Sequence, residues 1–72
     1  MQLFSYNFTD LTSFNSPSEE VWIAREDLFG FAHRVAREML AAVPDLTNKG
    51  LCVAIYDEAG QAISYVPLDS LH

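Results

Sequence analysis

The stretch LCVAIYDEAGQAISYV, residues 51–66, consists of two uncharged, largely apolar runs on either side of Asp57-Glu58-Ala59-Gly60. Apolar runs that flank a short acidic, glycine-containing segment predict a β-hairpin. With Glu58-Ala59-Gly60 as a three-residue loop and Gly60 in the left-handed position, Ile55 pairs with Ile63 and Val53 with Tyr65. Leu51, Val53 and Ile55 then share one face with Ile63 and Tyr65, which makes a broad apolar surface. A slip of one residue would bring Ala62 and Ser64 into that face and leave Ile63 outside it.

A helix before the hairpin supplies the complement. Val21, Leu28, Ala32, Val35, Met39 and Ala42 recur at three- and four-residue steps and form an apolar stripe, while Glu26, Arg34, Arg37 and Glu38 fall on the other side. Two starts fit. Ser16-Pro17-Ser18-Glu19 has the composition of a capping box with proline at the first helical position, and Glu26-Asp27 would suit the positive end of a helix dipole. Pro44 ends the helix. Gly30, which costs about 1 kcal/mol relative to alanine inside a helix, lies either near the start or where the backbone packs closely. Upstream, QLFSYNF at residues 2–8 alternates with period two and reads as a half-buried strand. The expectation is an α+β fold in a single domain, residues 1–72. It has a three-stranded antiparallel-type sheet in the order β-α-β-β, with one helix packed on one face.

Such a sheet has a second face. In the expected register it carries Leu3, Ser5, Asn7, Cys52, Ala54, Tyr56, Ala62, Ser64 and Val66, none of them charged. Solvated faces and edge strands are usually marked by charge, bulges or proline, and the hairpin offers only Pro67. Leu3, Cys52, Ala54, Tyr56, Ala62 and Val66 are therefore candidate interface residues. A face of a few hundred Å² falls short of the roughly 800 Å² per partner of a specific interface. Trp22, Phe14, Leu68 or Leu71 would have to join it, and Trp22 is added to the candidate set. The alternative cover is the segment 9–16 or the tail from Leu68.

Composition restricts the partners. The chain has 72 residues, ten acidic and four basic, for a net charge of −6. It should repel phosphate backbones and anionic surfaces, so neither nucleic acid nor a membrane is an expected partner. No window is long and apolar enough to span a bilayer and no leader pattern opens the chain, which reads as soluble and cytoplasmic. A chain this short buries only roughly 60% of its unfolded surface. Its single cysteine forms no internal disulfide, which makes association with a second copy the expected support. A different protein partner is the other possibility.

No residue set points to catalysis, a cofactor or a metal. His33 has no ligand-type residue at the four-residue spacing of a helical metal site and reads as a solvated helix histidine. Cys52, between Leu51 and Val53, reads as packing and not as a nucleophile. Asp57 and Glu58 read as turn residues. Trp22, Phe29 and Tyr65 could line a pocket between helix and sheet, the basis of an alternative small-molecule-binding reading.

The first strand LFSYNF, the helix end at Ala36–Ala41 (AREMLA) and the hairpin VAIYDEAGQAI followed by Val66-Pro67 resemble a family of short alphaproteobacterial proteins classed as a domain of unknown function. That resemblance implies the same small α+β fold and carries no catalytic residues. The functional expectation is a non-enzymatic interaction or assembly module that self-associates.

Overall fold

The computed structural model of the chain describes residues 1–68. It is an α+β fold in the order β1 (Gln2–Thr9), β2 (Glu19–Ile23), α1 (Leu28–Ala42), β3 (Cys52–Tyr56) and β4 (Ala62–Pro67). The four strands form one antiparallel sheet in the order β2-β1-β3-β4. The helix lies across one face.

The fourth strand, β2, corrects the expected three-stranded sheet. Glu19–Ile23 occupies the segment in which a helix start was one expectation, and it pairs with β1 through Phe4 and Val21, and Leu3 and Trp22. Ser16 caps no helix. Its hydroxyl accepts a 2.9 Å hydrogen bond from the Phe8 amide, and its own amide donates to the Phe8 carbonyl. The hydroxyl that would have satisfied a helix N-terminus thus satisfies the end of β1 instead. Val21 lies in a strand, where Val21 and Ile23 face the core and Trp22 faces away. The chain enters the helix later, through a 3-10 turn at Arg25–Asp27, which agrees with the start nearer Glu26. Pro44 follows the helix and opens a short 3-10 turn, Pro44–Leu46.

The hairpin loop is as expected, but the register beyond it is not. Gly60 has φ 84°, the Gly60 amide donates to the Asp57 carbonyl, and the Asp57 amide donates to the Gln61 carbonyl, closing the loop over 58–60. Asp57 Oδ1 accepts from the amides of Ala59 and Gln61. Tyr56 pairs with Ala62, in the phase the loop sets. A bulge then intervenes, so that Ile55 pairs with Ser64 and Val53 with Val66, not with Ile63 and Tyr65. One additional residue on a strand exchanges its two faces. Val66, 1% exposed, therefore enters the core, and Ile63 and Tyr65 leave it.

The core between sheet and helix is built from Phe4, Val53, Ile55 and Val66 against Leu28, Ala32 and Ala36. Alanines at the helix contact bring the helix close to the sheet, and the rings of Tyr6 and Phe31 meet edge-on at 5.3 Å beside it. Burial of each large apolar side chain contributes roughly 1.5–3 kcal/mol.

Candidate functional site

The sheet face turned away from the helix is set by alternation and register, row by row. Thr9, Cys52 and Pro67 form one row, and Asn7, Ala54 and Tyr65 the next. Glu20, Ser5, Tyr56 and Ala62 form a third, and Trp22 with Leu3 closes the face at the far end. Of the candidate interface residues, Leu3, Trp22, Cys52, Ala54, Tyr56 and Ala62 belong to this face. Val66 does not. The bulge turns it toward the helix, and Tyr65 takes its place. Sequence reasoning missed Tyr65 for the same reason, since no residue type in AISYVP signals the extra residue.

Small side chains make the centre of the face low. Ala54 has no exposed surface and Cys52 is 6% exposed, both beneath their neighbours. The Tyr56 hydroxyl donates to Asn7 Oδ1, and Asn7 Nδ2 donates to the Ser16 carbonyl at 3.1 Å, which satisfies the amide of a buried asparagine on both sides. These bonds hold the centre of the face in one arrangement. Trp22 stands out at one end, 64% exposed, and Tyr65 on β4 is 49% exposed. Glu20 is the one charged side chain in the four rows.

Near the Cys52 row the face deepens into an open groove of about 500 Å³ lined by Leu11, Leu51, Cys52, Tyr65 and Pro67, with Asn48 and Gly50 completing it. Its far wall comes from the loop after β1. Asp10 Oδ1 accepts from the amides of Thr12, Ser13 and Phe14, which winds residues 10–14 into a tight turn. Leu11 takes φ 67° there and its amide donates to Thr9 Oγ1. The bonds to the Phe14 and Thr12 amides hold the Asp10 carboxyl down at about 2. Phe14 goes the other way, to the helix side, beside Phe8, Met39, Leu46 and Leu68. The loop thus closes over the Thr9 end of the face, where Thr9 and Cys52 are buried, and leaves Trp22 and Tyr65 exposed. Leu68 is buried in the core, and Leu71 lies outside the described residues.

Compared with protein-family models, with characterised proteins and with solved structures, the chain finds no match. What the surface can do therefore follows from its geometry.

Trp22, Phe29 and Tyr65 do not line one pocket. Trp22 and Tyr65 lie on the face turned from the helix, whereas Phe29 sits on the helix, 57% exposed, its ring edge-on to His33 at 5.1 Å. The sheet separates them. Burial pushes the Cys52 thiol above its ordinary range, with the Asp10 charge adding to it, and Sγ lies 3.5 Å from the Thr9 carbonyl oxygen. A thiol so placed is a packing group. Among the described residues, no three His, Cys, Asp or Glu side chains are grouped to hold a metal ion, and no helix is long and apolar enough to cross a membrane.

Proposed function

We propose that the chain is a non-enzymatic association module that self-associates through the sheet face opposite its helix. The observation that carries this reading is the contrast between that face and the sheet's edges. Exposed strand edges invite unwanted pairing and are commonly guarded. Here β2 carries Glu19 and Glu20, and β4 carries a bulge at one end and Pro67 at the other. The broad face between them has a single carboxylate, yet it exposes Trp22 and Tyr65. Among the described acidic residues only Glu20 stands in the four rows, which reserves that surface for apolar contact.

The acidic balance favours a protein surface over nucleic acid or an anionic membrane. The same balance opposes the approach of a second copy, and it opposes it least on this face, which carries one carboxylate. Sedimentation equilibrium over a concentration series tests the reading. Mass that rises toward twice 8.1 kDa with concentration is the expected result. A constant monomer mass at hundreds of micromolar would overturn it.

A further inference from the structure

Trp22 and the Leu11–Cys52–Tyr65–Pro67 groove share one face and occupy diagonally opposite corners of it. Trp22 pairs with Leu3 at one end of β1, on the edge strand β2. The groove opens beside the Thr9 row at the other end, over β3 and β4. Six residues along β1 separate the two by roughly 20 Å, and three strand spacings by roughly 14 Å. A projecting ring and a recess on the same surface make that surface self-complementary under a two-fold axis.

We infer that two copies stack open face to open face, with Trp22 of each inserted into the partner's groove between Leu11 and Tyr65. This deepens the self-association reading above and rests on it. A two-fold axis in the plane of the interface, perpendicular to the line from Trp22 to the groove, exchanges ring and recess in both directions. That line lies about 35° from the strands, so the strands of the two sheets cross at roughly 70°, nearer the orthogonal than the aligned class of sheet packing.

Area allows this arrangement, and the single carboxylate of the face limits the repulsion between two acidic copies. The flat rows cover only roughly 300–400 Å² per copy, too little for a specific dimer. An indole buries about 150–250 Å² when enclosed. Each copy both inserts a ring and receives one, which brings the total to roughly 1,000–1,200 Å², the low end of specific interfaces. The dimer is accordingly a weak one. The groove is mainly apolar, with Asn48 in its wall, and its volume of about 500 Å³ accommodates an indole. Glu20, one strand position pair away from Trp22 on the same edge, stays at the rim and remains hydrated.

Trp22 is the only tryptophan, so its emission reports its own surroundings without a label. The full chain is measured by sedimentation equilibrium and by tryptophan fluorescence over the same concentration series, together with Trp22→Ala and Leu11→Asn. Asparagine keeps the positive φ at position 11 accessible, and circular dichroism with thermal melting checks that both variants fold. The expected result has emission moving to shorter wavelength in step with dimer formation, while each variant weakens association, Trp22→Ala by roughly thirtyfold or more. A dimer whose emission is independent of concentration, or which folded Trp22→Ala forms as readily, would overturn the insertion and leave self-association standing. Monomers throughout would sink both.

Discussion

The Tyr56 hydroxyl donates a hydrogen bond to Asn7 Oδ1 across 3.1 Å, which ties β3 to β1 on the side of the sheet away from the helix. Asn7 is nearly buried, and its Nδ2 is spent on the Ser16 carbonyl. Removal of the hydroxyl therefore leaves an amide oxygen short of a partner where water has little access. Tyr56→Phe should lower the stability by about 1 kcal/mol and Asn7→Ala by about 1–3 kcal/mol. Urea unfolding checks both, with an unchanged denaturant slope showing that the loss belongs to the folded state.

The bulge at Ile63 makes neighbouring residues of β4 unequal. Val66 touches the core and Tyr65 does not. Val66→Ala should cost about 2 kcal/mol through a cavity, and Tyr65→Ala less than about 0.5 kcal/mol in the monomer. The reverse order in thermal melts would place the register in the phase the loop alone predicts.

Asp10 links the loop after β1 to pH. Its carboxyl is held at about 2, against an ordinary value of 3.8, first by the Phe14 amide and then by the Thr12 amide. The folded value is the lower one, so the stabilisation is present in full above about pH 4 and is lost as pH falls toward 2. NMR titration of the Asp10 carboxyl should return the depressed value. Asp10→Asn should flatten the acid limb of the stability curve between those limits.

Gly30 stands at the third position of α1 without any steric need for glycine. A Cβ built there meets nothing within 4 Å, and its φ is not positive. Gly30→Ala should stabilise the fold by about 0.5–1 kcal/mol, measured as a higher urea midpoint. The alternative expected of this glycine, close backbone packing, does not occur among the described residues.

Strong local signals carried most of the architecture from sequence to structure. Pro44 stops the helix because its ring cannot continue one, Gly60 turns the hairpin because it tolerates positive φ, and Phe4, Tyr6 and Phe8 alternate along β1. The misread segment is the one in which two codes overlap. Val21 fits a helical stripe and a strand's inward face equally, and Ser16 is a good helix cap that also serves a strand amide. Five residues, EEVWI, are too few for periodicity to decide between them. The candidate face was largely readable because alternation assigns Leu3, Cys52, Ala54 and Tyr56 together. Trp22 reached it as an addition argued from area, and β2 supplies the position. Val66 and Tyr65 were exchanged by one unpaired residue, a tertiary compromise in which Val66 packs against Val53 and no local propensity takes part.

That unpaired residue has a consequence for engineering. The phase of β4 is reset below the tip and not within it, so the segment 58–60 is mechanically insulated from the core. A longer peptide spliced between Asp57 and Gln61 would be displayed on a stem whose footing, with Val66 seated against the helix, does not register the change.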